Sequence, residues 1–244
     1  MRAILLAGGF GTRLQPITNT IPKCLLPING IPLLEIWLNN LTCAGVGPFL
    51  INTHYLAEQV EQHFLTSPHR RNVKLVYEPE LLGTAGTLFA NIDFFQDEDG
   101  FLIHADNYAL CDWRLFIKAH LERPAGCLMT MLTFNTDNPS SCGIVELNEQ
   151  GVLMRFHEKI ANPPGNRANG AVYILSKDFI RDIRSYAGKI NDISTQLIGK
   201  YLGKIYTYHT NEAHIDIGTP ETYLKVMNLG LQQPDVVSNN SRNT

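Results

Sequence analysis

The sequence predicts an α/β protein built on a mixed, mostly parallel sheet flanked by helices. Short apolar runs alternate with segments of helical periodicity up to about residue 134, the pattern of strands joined by crossover helices. The first run, MRAILLA, breaks into a glycine-rich turn, as strands in such sheets often do where ligands gather at their carboxyl ends. With 244 residues, 44% of them hydrophobic and 18% charged, the chain can bury a substantial core.

Taken in order, 1–7 reads as a buried strand and 27–30 as a turn. The stretch 33–44 (LLEIWLNNLTCA) has helical spacing, which Gly45 ends. Strands follow at 48–55, 72–80, 100–107 and 127–134, and helices at 57–64, 84–94 and 113–122, the last capped by Asp112. Beyond 135 the texture changes. Residues 143–159 read as a hairpin turning at 148–151, 161–168 as a loop, and 169–176 and 204–210 as strands. Helices are expected at 177–186 and 219–232, the second capped by Thr219, and the polar stretch 233–244 reads as a flexible tail. No internal repeat appears. The expectation is a single domain over 1–232, in two halves, 1–134 and 135–232.

A net charge of −3 and a pI of about 6.2 give no electrostatic argument for nucleic acid or anionic membrane as a partner. No apolar stretch reaches membrane-spanning length. Cys24, Cys43, Cys111, Cys127 and Cys142 are scattered singly, which favours free thiols in a reducing compartment. No basic leader precedes the first strand, so a cytoplasmic location is expected. Trp37 and Trp113 read as helix packing residues. His104, His157 and His214 read as packing or hydrogen-bonding residues rather than metal ligands.

The chemistry concentrates in AGGFGTR. Glycines let backbone N–H groups approach an anion closely. The spacing is neither G-x-x-x-x-G-K-[ST] nor G-x-G-x-x-G, so a P-loop and a dinucleotide fingerprint are both disfavoured. Arg13 and Lys23 add two cations, which suits a polyphosphate. Asp106 and Asp216 each end an apolar run, and two carboxylates on one rim can hold Mg²⁺.

The string L-A-G-G-x-G-T-R-L-x-P-x-T at 6–18, followed by P-K-x-L-L-P-I at 22–28, resembles the signature of sugar-1-phosphate nucleotidyltransferases. The likeness continues through Gly83-Thr84-Ala85-Gly86, Ala105-Asp106, Glu158-Lys159, Asn169-Gly170 and Asp216-Ile217-Gly218-Thr219-Pro220. It implies a Rossmann-like fold of the nucleotide-diphospho-sugar transferase type. It also implies a reaction in which an NTP and a sugar 1-phosphate give an NDP-sugar and pyrophosphate, with Mg²⁺ as cofactor. The resemblance assigns Leu6, Ala7, Gly8, Gly9, Gly11, Thr12, Arg13, Glu78, Gly83, Thr84 and Ala85 to the nucleotide. It assigns Asn107, Gly143, Glu158, Lys159, Asn169 and Gly170 to the sugar, and Asp106 and Asp216 to the metal. Arg13, Lys23 and Asp106 are the expected catalytic residues.

Uridylyl and thymidylyl members of the family tend to carry a glutamine where this chain has Glu78. A carboxylate only accepts hydrogen bonds, whereas guanine offers adjacent N–H donors. The expectation is therefore GTP, with a mannose or manno-heptose 1-phosphate as acceptor. A register two residues along would put Glu80 in that place. The alternatives are uridylyl, thymidylyl or cytidylyl transfer to another sugar phosphate or to phosphocholine, and a non-catalytic subunit of the same fold. Phosphocholine calls for an aromatic cage, and Tyr108, Trp113 and Tyr173 do not assemble one in the sequence. Homo-oligomerisation is left open. With no hexapeptide repeat and no room after 232 for an appended acyltransferase domain, a single reaction is expected.

Overall fold

The computed structural model describes residues 1–230; the expected tail at 233–244 and the last two residues of the expected closing helix lie outside them. The strands are β1 (Arg2–Leu6), β2 (Pro27–Ile28), β3 (Ile31–Pro32), β4 (Phe49–Thr53), β5 (Val73–Tyr77), β6 (Gly100–His104), β7 (Asn107–Ala109), β8 (Met129–Asn135), β9 (Gly143–Leu147), β10 (Leu153–Glu158), β11 (Arg167–Leu175), β12 (Ile205–His209) and β13 (His214–Asp216). The helices are α1 (Leu33–Cys43), α2 (Ala57–Thr66), α3 (Gly83–Ala90), α4 (Trp113–Leu121), α5 (Lys177–Ile183) and α6 (Pro220–Gly230).

Nine strands form one mixed sheet. Its main path runs β10-β9-β11-β6-β1-β4-β5, with β8 joined to β11 and β12 joined to β8. The β6-β1-β4-β5 half is parallel, as the alternation of strands and helices predicts. β11 enters antiparallel to β6 and β8. The second half of the chain is thus knitted into the first through shared backbone hydrogen bonds.

Side chains alternate across the sheet with period two. Ala3 and Leu5 enter one core with Leu34, Trp37, Leu38 and Leu41 of α1, and Phe116 of α4. Ile4 enters the other, with Leu88 of α3 and Phe179 and Ile183 of α5. Helices therefore cover both faces. Asp112 and Ser176 cap α4 and α5 by accepting from Leu115 N at 3.0 Å and Phe179 N at 3.1 Å. The Thr219 hydroxyl accepts from Thr222 N at 3.3 Å at the head of α6.

Several boundaries differ from the sequence expectation. The helix expected over 84–94 stops at Ala90, because Asn91 turns its side chain back onto the Thr87 carbonyl at 3.0 Å. A separate tight turn, Ile92–Phe95, follows. The helix expected over 177–186 ends at Ile183 and closes with a tight turn, Arg184–Tyr186. The strand expected over 72–80 ends at Tyr77, and 100–107 is split by a turn at Ala105-Asp106 into β6 and β7. The rings of Trp37 and Trp113 pack with centroids 5.3 Å apart. Tyr108 and Trp113 belong to one core and Tyr173 to the other. These three rings form no cage.

The stretch after Tyr186, passed over by periodicity, forms a short π-helical turn, Ile193–Leu197, and a tight turn, Ile198–Tyr201. It locks onto the start of α3. Gly83 has φ +77, and a Cβ there would lie 2.4 Å from the Asn191 carbonyl oxygen. That oxygen accepts from Ala85 N at 3.0 Å. Gly83→Ala is expected to destabilise by about 1 kcal/mol or more. A urea unfolding midpoint equal to wild type would contradict this packing.

Two histidines, His120 and His214, make the fold acid-sensitive. His120 is fully buried between Thr130 Oγ1 at 2.8 Å and Asp99 Oδ2 at 3.2 Å, and burial holds it below its ordinary pKa. Burial also lowers His214, to about 4. Both rings are neutral in the fold and protonate near pH ~6.5 when unfolded. Their stabilisation is complete above that value and is lost as pH falls towards the folded pKa values. Thermal melts at about pH 7.5 and about pH 5 should show the lower midpoint in acid; equal midpoints would refute this.

Candidate functional site

Three parallel strands end in line: Leu6 of β1 pairs with Asn52 of β4 and His104 of β6. Asn52 is buried, and its Oδ1 accepts from Ala7 N at 2.7 Å, which fixes the first residue of the glycine loop. Downstream, Thr18 Oγ1 donates to the Gly11 carbonyl at 2.8 Å. Leu14 is wholly buried and anchors the turn Thr12–Leu14. Arg13 beside it faces solvent, its side chain 70% exposed. Gly8 and Gly9 open onto a cavity of about 210 Å³, whose other walls include Leu81, Gly83, Thr84 and Asp106.

Lys23 begins a tight turn held by the buried Cys24. Its side chain is only 7% exposed, and its Nζ lies 2.8 Å from Asp106 Oδ2 and 3.3 Å from Asp216 Oδ1. Arg13 Nη2 approaches Asp216 Oδ2 at 3.6 Å. Two cations and two carboxylates thus form one cluster. Burial pushes the Asp106 carboxyl up, but the Lys23 ammonium beside it wins and holds it below the usual carboxylate range.

The register of a small ribbon brings the two carboxylates together. β13 pairs antiparallel with β7, with Asp216 opposite Asn107, the residue after Asp106. Two interactions steady this ribbon. Trp37 Nε1 donates to the Asn107 carbonyl at 2.9 Å, and His214 Nε2 donates to the Gly170 carbonyl at 2.8 Å. His214 also stacks on Phe134 at 4.0 Å. Asn107 itself is buried.

The second glycine segment is held from below. Thr84 Oγ1 accepts from Ile193 N at 2.8 Å and donates to Asp192 Oδ2 at 3.3 Å. Glu78 is buried, and its carboxylate accepts from Thr87 Oγ1 at 2.6 Å and Leu82 N at 3.3 Å. It ties the loop to α3; Thr87, not Glu78, lines the cavity. Glu80 is exposed.

Of the sugar-assigned residues, Asn107 lies on β7 beside the charged cluster, and the others lie along β9, β10 and β11 or just past β10. Glu158 pairs with Gly143, where a Cβ would lie 2.7 Å from Glu158 Oε2; only glycine admits that carboxylate so closely. Lys159 has φ +50, and its Nζ lies 3.5 Å from Glu158 Oε1. Asn169 Nδ2 donates to Tyr173 Oη at 2.7 Å, and its Oδ1 accepts from Ala171 N at 2.9 Å across an irregularity in β11. His157 bonds to Glu146, away from the charged cluster.

Sequence reasoning missed Asn52, Asp192 and the steadying role of Trp37, whereas His214, read as a packing or hydrogen-bonding residue, does both. Asn52 had a signal, as an amide in the middle of an apolar run must find partners. The ties made by Trp37 and His214 depend on tertiary contacts and left no local trace.

Known proteins resemble this chain in sequence and in fold. A family model described as nucleotidyl transferase matches residues 2–233. A mannose-1-phosphate guanylyltransferase catalytic subunit beta of Danio rerio is 30% identical over 237 residues, covering 95% of this chain and 65% of that protein. The chain spans 61% to 65% of the length of such curated relatives. Among solved structures, HddC from Yersinia pseudotuberculosis complexed with GMP-PN has a TM-score of 0.78 and 25% identity, covering 94% of this chain and 99% of that one. A Bacillus anthracis protein described as a glucose-1-phosphate thymidylyltransferase has a TM-score of 0.82, covers 96% of this chain and 97% of its own, and at 21% identity shows the shared fold alone. The family match runs from the first strand past the ribbon that carries Asp216, and the chain belongs to the nucleotidyl transferase family.

Proposed function

We propose that the protein transfers a nucleoside monophosphate from an NTP to a sugar 1-phosphate, releasing pyrophosphate. The observation that carries this reading is the contact of one buried ammonium, Lys23, with two carboxylates beside the glycine-lined cavity. The attacking phosphate oxygen is already ionised, so transfer needs no general base. It needs alignment for in-line attack and compensation of charge. In this reading the 1–134 half binds the nucleotide, with its phosphates against the backbone of 8–11, and the 135–232 half binds the sugar. Lys23 lies between the α-phosphate and the sugar phosphate, and the exposed Arg13 meets the departing pyrophosphate. Glu158 accepts from sugar hydroxyls.

The residues present suit Mg²⁺. Asp106 and Asp216 would supply hard oxygen ligands, and both carboxylates reach the same neighbourhood, beside Lys23 Nζ. When bound, the metal supplies positive charge to the phosphates. A non-catalytic role is disfavoured, because all four charged groups are present and in one cluster.

GTP and a mannose or manno-heptose 1-phosphate are the proposed substrates. Support comes from a relative named for mannose-1-phosphate guanylyl transfer and a solved relative complexed with GMP-PN. Pyrophosphate release across GTP, UTP, dTTP, CTP and ATP, each with mannose, manno-heptose and glucose 1-phosphates and phosphocholine, tests this choice. GTP with a manno-configured acceptor should be fastest; a clear preference for UTP, dTTP or CTP would reject it.

Asp216→Asn and Lys23→Ala should each lower turnover by about 10²-fold or more, with circular dichroism like wild type. Near wild-type turnover of Asp216→Asn at saturating Mg²⁺ would end the metal assignment.

A further inference from the structure

β4 carries one amide among largely apolar neighbours. Asn52 sits between Ile51 and Thr53 in a strand whose five residues are all buried. Its Oδ1 accepts from Ala7 N at 2.7 Å, and its Nδ2 donates to Thr87 Oγ1 at 3.4 Å. The Thr87 hydroxyl gives its own proton to Glu78 Oε1 at 2.6 Å, and Glu78 Oε2 accepts from Leu82 N at 3.3 Å. Thr87 and Glu78 are buried as well. Four hydrogen bonds thus join the backbone at the start of the glycine loop to the backbone at the head of α3.

Satisfying the Ala7 N–H does not explain an amide here, since a carboxylate at 52 would also accept from it. The donor half of the amide answers to Thr87. That hydroxyl has a single proton, committed to Glu78, so its oxygen is left to accept from residue 52. A buried polar network with every member paired is rigid. The two segments it joins both line the cavity, Gly8 and Gly9 from one, Leu81 and Gly83 from the other. They also touch: a Cβ on Gly8 would lie 3.1 Å from Asn52 Nδ2 and 3.2 Å from Leu81 Cδ2. The relay therefore fixes how far apart the two segments stand.

We propose that Asn52 is a positioning residue that sets the spacing of these two loops, so that the phosphate end and the base end of an NTP are gripped as one unit. The proposal rests on the nucleotidyl-transfer reading above, in which both loops hold the nucleotide. Asn52 acts through Ala7 and Thr87, and the sugar 1-phosphate, held in that reading from β9, β10 and β11, lies outside its reach.

The test compares wild type with Asn52→Leu, which keeps the volume without the amide, Thr87→Val, which keeps the shape without the hydroxyl, the double variant and Thr87→Ser. Affinity for GTP, UTP and ATP is read by calorimetry, and KM and kcat by pyrophosphate release. Asn52→Leu and Thr87→Val should each weaken binding of the favoured NTP by about tenfold, as for the loss of one hydrogen bond. Each should also narrow the preference for that NTP over the others. KM for the sugar 1-phosphate should stay within about threefold, and Thr87→Ser should bind like wild type. Both changes cut the same relay, so the double variant should bind no more than about twofold less tightly than the weaker single, whereas independent effects would multiply to about a hundredfold. Multiplied effects, unchanged NTP affinity in Asn52→Leu, or equal KM rises for both substrates overturn the proposal. If Asn52→Leu melts below the assay temperature, Thr87→Val and Thr87→Ser decide it: wild-type NTP affinity in Thr87→Val overturns it. A wild type that binds no NTP would instead strike down the nucleotidyl-transfer reading itself.

Discussion

A buried ammonium needs counter-charges, and the arrangement of the site follows from how Lys23 finds them. Its side chain is almost fully enclosed, while Asp106 and Asp216 remain partly open to solvent. An unpaired charge in such a place costs several kcal/mol, so the fold must deliver both carboxylates to it. They come from sequence positions 110 residues apart, the difference between 216 and 106. The ribbon of β7 and β13 does this by register: Asp216 faces Asn107, so the two acids cannot separate without breaking ladder hydrogen bonds. On the proposed reaction, a site held this way keeps its charges aligned before any substrate arrives, which is where electrostatic catalysis gains most.

The ribbon is in turn tied to both parts of the sheet. Trp37 of α1 holds the β7 side through the Asn107 carbonyl, and His214 holds the β13 side to the Gly170 carbonyl of β11. β11 pairs with β6, whose neighbour β1 ends in the glycine loop. Sugar-assigned residues such as Asn169 sit on the irregularity in β11, where interrupted pairing frees side chains to point away from the ladder.

Much of this was legible in the residues. Alternating apolar runs disclosed the parallel half of the sheet, and the Leu6–Thr18 string carried the family resemblance that the 2–233 match bears out. The strand expected over 72–80 stops at Tyr77, just ahead of Pro79, which has no N–H to give to a ladder. The segment after Tyr186 was not read at all. Its short turns carry no sustained period, and what orders them is contact with Thr84 and Ala85. For the charged cluster, sequence could nominate Arg13, Lys23, Asp106 and Asp216 one by one. That Lys23 bridges both acids depends on β7 and β13 pairing, which no local pattern encodes.

The Glu78 geometry also changes the argument about base choice. The reasoning from its carboxylate treats it as a free acceptor facing guanine. Yet each of its oxygens already takes a hydrogen bond, one from the Thr87 hydroxyl and one from Leu82 N. A glutamine could accept both of those bonds through one oxygen only with altered geometry, and its amide would bring donors where Thr87 also donates. The acid is therefore suited to closing the 78–82 loop onto α3. On the proposed reaction, base selection then falls to what the closed loop presents to the cavity: the Leu81 side chain, the Thr87 side chain, and main-chain groups near Gly83. Replacing the acid would alter base preference through the loop's shape, whether or not the carboxylate ever touches the base.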